Sequence, residues 1–274
     1  MMPALAAIGF GAMNGAVIRG AIASGVLSSS DVLVIDPSAQ TLARAAALGC
    51  SVAPDATAVR HQSVAPSALL FGVRPGQFAG AAAAVGRLAH PTLVLSVMAG
   101  ITAHDMRQTL GTNARVVRAM PNLPARVGAG MTVLARDPSA TDEDAALARR
   151  LFQSVGAVLE APESMLDSAV AVCGSGPAYA FALAEAWVAG AVRLGWSHED
   201  ALRLVQHTLH GAALMLMEPG ADPAQLRAEV VTKGGTTAAA LAVWADRDLA
   251  QTVADGMTAA RDRAAELGSR SPGG

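Results

Sequence analysis

The chain has 274 residues, of which 52% are hydrophobic, 15% charged and 3% aromatic, so it is long enough for two domains and a well-buried core built mainly of Ala, Val and Leu. A formal net charge of −2 and a pI near 6.3, with no Arg/Lys stripe interleaved with aromatics, speak against a nucleic-acid partner. Cys50 and Cys173 match no metal or redox spacing and suit a reducing, cytoplasmic setting.

The apolar opening Met1 to Val17 lacks the preceding positive charge of a signal peptide, since Arg19 comes after it. Pro91 to Thr102 is too short to span a bilayer, and the longer apolar run ending at Ala184 is interrupted by Gly174, Gly176 and Pro177. A membrane partner is not expected.

Leu5 to Phe10 reads as a short strand ending in Gly9-Phe10-Gly11, after which Met13, Val17, Ile18, Ile22 and Val26 keep helical spacing. In that setting Gly9 permits the tight turn and Gly11 lets backbone approach a pyrophosphate at the helix N-terminus. The third place of the fingerprint holds Asn14, followed by Gly15, so helix-strand packing there must tolerate a side chain. Val32 to Ile35 reads as the next strand and closes on Asp36. A carboxylate there accepts both ribose hydroxyls of NAD and repels the 2′-phosphate of NADP, which favours NADH. Ser38 after Pro37, or Arg74 from the third strand, would argue the other way, and an N-cap for the following helix is the plain structural role for Asp36.

A helix over Ala39 to Leu48, a strand at Ala68 to Val73, a helix over Gln77 to Leu88 and a strand at Thr92 to Met98 follow. Repeated βαβ units predict a parallel, doubly wound sheet with ligands at the carboxyl ends of its strands. After a strand at Met131 to Leu134 and a helix over Asp142 to Val155, strand signals fade, which places a boundary near Ala161-Pro162. The expected organisation is a dinucleotide-binding domain over 1–161, a helical domain over 162–267 and a flexible tail over 268–274.

Ser164 to Trp196 carries only Asp167, Glu185 and Arg193 as charges. A helix apolar on nearly every face must be covered on nearly every face, and dimerisation is the economical way to cover it; a kinked core helix in a monomer is the alternative. Pro177 suits the first turn of the helix after Gly174-Ser175-Gly176. Trp187, Trp196 and Trp244 read as interface or core anchors. His207 and His210 share a helix face, but no third ligand with metal spacing accompanies them, so a metal site is not expected.

The last feature is Val230-Val231-Thr232-Lys233-Gly234-Gly235-Thr236-Thr237. Adjacent glycines let successive N–H groups converge, and a helix from Thr236 to Asp246 would turn its N-terminus toward a carboxylate. The plain alternative is a glycine C-cap and a threonine N-cap joining two helices.

Ile8-Gly9-Phe10-Gly11-Ala12-Met13, Val73-Arg74-Pro75, Arg118-Ala119-Met120-Pro121-Asn122, Val172-Cys173-Gly174-Ser175-Gly176-Pro177-Ala178-Tyr179 and the Gly-Gly-Thr-Thr loop together resemble pyrroline-5-carboxylate reductase, in order and spacing across nearly the whole chain. The resemblance implies a Rossmann domain followed by a helical dimerisation domain, with a site commonly closed between subunits. It also implies reduction of the cyclic imine Δ1-pyrroline-5-carboxylate to L-proline with NAD(P)H. It assigns the cofactor phosphates to Gly9, Phe10, Gly11, Ala12, Met13 and Asn14, and the adenosine ribose to Asp36, Pro37 and Ser38. Gly72, Val73, Arg74, Pro75, Val97, Met98, Ala99 and Glu163 would meet the nicotinamide. Thr232, Gly234, Gly235, Thr236 and Thr237 would take the imino-acid carboxylate, with the Thr237 hydroxyl oriented on the ring nitrogen.

Several positions depart from the family pattern: Leu123 for a threonine, Val170 for a threonine, Cys173 for a serine, Ala129 for a glutamate, Ala189 for an aspartate and Lys233 for a proline. The departures at Val170 and Leu123 leave open a reductase of a six-membered, piperideine-type imine, and a nucleotide-binding regulatory relative with weak turnover is the other alternative, whereas Lys233 is a substitution compatible with working family members.

Overall fold

The computed structural model describes residues 5–61 and 66–269. The first half runs β1 (Leu5–Ile8), α1 (Ala12–Ala23), β2 (Val32–Ile35), α2 (Ala39–Ala46), β3 (Ser51–Ala53), β4 (Ala68–Phe71), α3 (Phe78–Val85), β5 (Thr92–Ser96), α4 (Ala103–Leu110) and β6 (Ala114–Met120). It continues with β7 (Gly130–Arg136), α5 (Asp142–Gln153), β8 (Gly156–Glu160) and α6 (Leu166–Ala169). The remainder is helical: α7 (Gly176–Arg193), α8 (His198–Leu216), α9 (Pro223–Val230), α10 (Thr236–Ala245) and α11 (Leu249–Ser269).

The eight strands form one sheet in the order β3-β2-β1-β4-β5-β6-β7-β8. Its first six have the nucleotide-binding order, in which the chain reverses direction of winding between β1 and β4. β1 is buried on both faces, as parallel strands covered by helices must be. Leu5 and Ala7 join a core cluster with α1 and α5 residues such as Val17, Ile18, Leu151 and Phe152. Ala6 and Ile8 join another with Phe78, Val85, Met106 and Leu110 of α3 and α4. The period-2 alternation of one short strand thus serves two helical layers.

The expected parallel, doubly wound sheet is present, with one antiparallel pairing: β6 and β7 run antiparallel while β8 returns parallel to β7. The loop from Asn122 to Ala129 is too short for a crossover, and an antiparallel return is the solution open to it. Nor do strands end with the helix α5, since β8 follows directly; its half-exposed sequence Gly-Ala-Val-Leu-Glu carries little apolar signal.

The described residues form two compact units, one lying within 5–175 and 260–269 and the other comprising 176–259. Gly268 and Ser269, expected in a flexible tail, belong to α11, and within the first unit Gly268 lies against Gly100, where a Cβ on Gly100 would stand 2.9 Å from the Gly268 Cα. Residues 270–274 of that expected tail lie outside the described residues. α6 passes into a π-helical turn, Val170–Gly174, so the glycine-rich break is a widened helical turn rather than a simple end.

In the second unit the helices bury little of their apolar surface. Among the described residues α7 buries only Val188, and α10, apolar from Ala238 to Ala245, buries none. This overturns the alternative of a monomer core helix: Phe181 is 60% and Trp187 42% exposed. Trp187, Trp196 and Trp244 line one apolar cavity of about 880 Å³ with Leu183, Leu204 and Leu249. The run Glu163–Arg193 is long and apolar enough to cross a membrane by length and composition.

Candidate active site

The Gly-rich loop sits where the sheet reverses its winding. Gly9 follows β1 at φ +84°, a left-handed conformation that favours glycine, and its N–H donates to the Ile35 carbonyl at 2.8 Å. A Cβ there would lie 3.0 Å from the Gly72 carbonyl oxygen. Gly11 is the N-cap of α1, without a side-chain cap, and a Cβ at Gly11 would meet nothing within 4 Å. A turn that needs glycine beside an open helix N-terminus fits a dinucleotide pyrophosphate.

Asp36 has a place in this loop. Its Oδ2 accepts from the Phe10 N–H at 2.9 Å and its Oδ1 from the Ser38 N–H at 2.9 Å. The N-cap of α2 is Ser38, whose hydroxyl accepts from the Thr41 N–H, so Asp36 is not the cap. Each carboxylate oxygen keeps a lone pair for a ribose hydroxyl. Pro37 and Ser38 are exposed beside it.

Asn14 is 1% exposed. Its Nδ2 donates to the Gly9 carbonyl at 2.8 Å and lies 3.4 Å from the Leu70 carbonyl, while its Oδ1 is buried without a hydrogen-bond partner among the described residues. A Cβ at Gly72 would overlap the Asn14 amide. The side chain that the third fingerprint place had to tolerate is therefore accommodated by a missing one across the loop. Of the other residues assigned to the phosphates, Gly11 and Ala12 are exposed, Met13 packs against the core and the Phe10 ring is buried in it.

The loops after β4 and β5 complete this end of the sheet. The Gly72 N–H donates to the Ile8 carbonyl and the Val97 N–H to the Phe71 carbonyl. Val73 is half-buried, and Arg74 and Pro75 are exposed. Buried Ser96 holds the Met98 N–H, with Ala99 exposed beyond it. Glu163 is tied down: its Oε1 accepts from the Ala103 N–H at 2.9 Å and from Arg118 Nη1 at 2.8 Å. Because Arg118 pairs in register with Ser96, this ion pair stands at the carboxyl ends of β5 and β6.

Three contacts were not anticipated. One is the Arg118–Glu163 pair. A second is Asn122, buried, whose Nδ2 donates to the Cys173 carbonyl and whose Oδ1 accepts from the Met131 N–H. The third is the Asn14–Gly72 fit. The Met120-Pro121-Asn122 signal marked the second region without showing that its asparagine holds the π-helical turn. Burial pushes the thiols of Cys50 and Cys173 up, and the Cys173 thiol donates to the Ala169 carbonyl, so neither is an activated nucleophile.

In the second unit, Gly234 has φ +73° and the Gly235 N–H donates to the Thr232 carbonyl at 3.0 Å. The C-cap of α9 is Val231 and the N-cap of α10 is Gly235, so neither the glycine C-cap nor the threonine N-cap of the plain alternative is present. Thr237 lies inside the first turn of α10 and is half-buried, while Thr232, Gly234 and Thr236 are exposed. That turn has no acidic residue and no side-chain cap among the described residues. Its N–H groups and helix dipole are left to meet an anion. A Cβ on Gly235 would overlap the Thr232 hydroxyl, so this turn of the loop requires glycine there. Among the described residues no three His, Cys, Asp or Glu are placed to hold a metal ion.

A nucleotide-binding sheet with an open Gly-x-Gly turn, followed by an apolar helical unit, defines an NAD(P)H-dependent oxidoreductase of the Rossmann class. Residues 4–100 match the family model described as NADP oxidoreductase coenzyme F420-dependent. Residues 163–267 match that described as pyrroline-5-carboxylate reductase dimerisation. The chain is 35% identical to bovine pyrroline-5-carboxylate reductase 3, over 97% of this chain and 85% of that one. It is 32% identical to pyrroline-5-carboxylate reductase of Synechocystis, over 97% and 98%. A solved pyrroline-5-carboxylate reductase from Coxiella burnetii superposes with a TM-score of 0.89 at 31% identity, over 97% of this chain and 99% of that one. The chain belongs to the pyrroline-5-carboxylate reductase family.

Proposed function

We propose that the chain reduces Δ1-pyrroline-5-carboxylate to L-proline with NAD(P)H, the last step in making proline, as a homodimer or larger homo-oligomer in the cytoplasm. The observation that carries the reading is the uncapped first turn of α10 behind Gly234-Gly235, an anion cradle in a chain whose other unit fits a dinucleotide.

The reaction asks little acid-base chemistry of the protein. A cyclic imine is basic enough to be partly protonated near neutral pH, which leaves its carbon electrophilic. NAD(P)H, when bound to the first unit, would supply the hydride. The N–H groups of Thr236 and Thr237 hold the substrate carboxylate, while the Gly235 N–H ties the loop to the Thr232 carbonyl. The Thr237 hydroxyl orients the ring nitrogen and passes it a proton from water. Positioning then supplies most of the acceleration.

Gly9 to Met13 would cradle the cofactor phosphates and Asp36 the adenosine ribose, with Pro37 and Ser38 beside it. The loops Gly72 to Pro75 and Val97 to Ala99 would border the nicotinamide. Glu163 would border it too, held by Arg118 and the Ala103 N–H. The carboxylate of Asp36, held in place by two N–H groups, favours NADH over NADPH.

Thr237→Ala tests the loop. It should lower kcat/KM for the imine about ten- to a hundredfold, since a lost hydrogen bond to a charged group is worth roughly 1.5–3 kcal/mol, with cofactor affinity unchanged. Normal kinetics with a lowered Tm on the same preparation would remove the loop from the active site.

A further inference from the structure

The two poles of a single peptide group are held by two side chains. The carbonyl of the Gly9–Phe10 peptide accepts from Asn14 Nδ2 at 2.8 Å, and its N–H donates to Asp36 Oδ2 at 2.9 Å. Gly9, with φ +84° and no Cβ, offers little resistance to rotation of that peptide. Rotation would put the Gly9 carbonyl oxygen where that N–H now stands, against the Asp36 carboxylate, and would disturb the loop that has to present N–H groups to an anion. Asn14, 1% exposed, draws the oxygen inward.

We propose that Asn14 is a positioning residue for the dinucleotide: it locks the Gly9–Phe10 peptide against rotation, and Gly72 is glycine so that the lock fits. Asn14 stands where the fingerprint has its third glycine, whose usual service is close helix-strand packing. Here the same place does a different job. The amide fills the space above Gly72, where a Cβ would overlap it, and puts a donor on the Gly9 carbonyl. Because the lock acts on the pyrophosphate end of the site, it strengthens NADH and NADPH alike, whereas Asp36 separates them at the ribose. The inference rests on the cofactor reading above and not on the identity of the imine.

The test compares Asn14→Gly, Gly72→Ala and the double variant by fluorescence titration with NADH and with NADPH, alongside Tm. Asn14→Gly should raise both dissociation constants by about tenfold, the size of one lost hydrogen bond, and by similar factors. In steady-state kinetics the loss should show as a raised KM for the dinucleotide more than as a lowered kcat. In the double variant the methyl group introduced by Gly72→Ala refills the space, so Tm should recover while the dissociation constants stay raised. The double variant carries the test if Asn14→Gly alone does not fold. Recovery of affinity together with Tm would show that Asn14 is only a spacer, and unchanged affinity in Asn14→Gly would also overturn the proposal, as would a changed NADH-to-NADPH ratio without a general loss. Since the readout is binding, failure to turn over the imine would count against the proposed reaction alone; an unmodified protein that bound neither dinucleotide would overturn both.

Discussion

The two units handle apolar residues in opposite ways. In the first, strands of four or five residues are buried on both faces and feed two helical layers. In the second, the described core is Val188, Ala201 and Val205 with a few partly buried neighbours, while Phe181, Leu194, Trp196, Leu214 and Met217 stand out by half or more of their surface. One unit completes its core within the chain; the other has the composition of a core and not the coverage. Apolar patterning shows that a surface is to be covered, and only the structure shows whether the same chain covers it.

The largest effect should come from placing a charge on the uncovered surface. If the proposed homo-oligomer covers this surface, Trp187→Asp buries an unpaired carboxylate there, which costs about 3–5 kcal/mol and weakens association by on the order of a hundredfold or more. Sedimentation at micromolar concentration should find the unmodified protein at least dimeric and the variant monomeric or unfolded. A monomeric unmodified protein would end the comparison. Leu70→Ala is the counterpart in the first unit, where Leu70 is fully buried; it should cost about 2–5 kcal/mol. Its loss of Tm should not depend on protein concentration, whereas that of Trp187→Asp should, because only the latter is linked to association.

Smaller effects sharpen the comparison at the sites. Asp36→Ser should raise the KM for NADH by about tenfold, as expected for a lost bond to a charged group, and improve NADPH relative to NADH. Equal use of both cofactors by the unmodified protein would contradict the role given to Asp36. Smallest of all, Cys50 and Cys173 should alkylate slowly with iodoacetamide at pH 8. Their thiols are raised by burial, and the protonated thiol is a poor nucleophile. Rapid modification of the folded protein at either position would contradict that placement.

Local signals carried much of the fold. Val32–Ile35 was legible as a strand residue for residue, and the helix after Gly235 to within one residue, because apolar runs and glycines speak for themselves. β6 was missed because Arg115 and Arg118 break its apolar pattern, and α4 because its sequence is largely polar. β3 has three residues, too few to show a period. The glycine turn and Asp36 could be read because their chemistry lies within one βαβ unit. The Asn14–Gly72 fit and the Arg118–Glu163 pair, whose partners lie far apart in sequence, could not; each residue alone looks ordinary, and only the fold brings it to its partner.

The central claim, that the anion cradle and the dinucleotide loop serve one imine reductase, is met most directly by following NADH and NADPH oxidation by the purified protein with Δ1-pyrroline-5-carboxylate and with its six-membered piperideine homologue. The account predicts oxidation of cofactor with proline as the product, the five-membered imine preferred and NADH the better donor. No oxidation with either imine, or a preference for the six-membered ring, would contradict it.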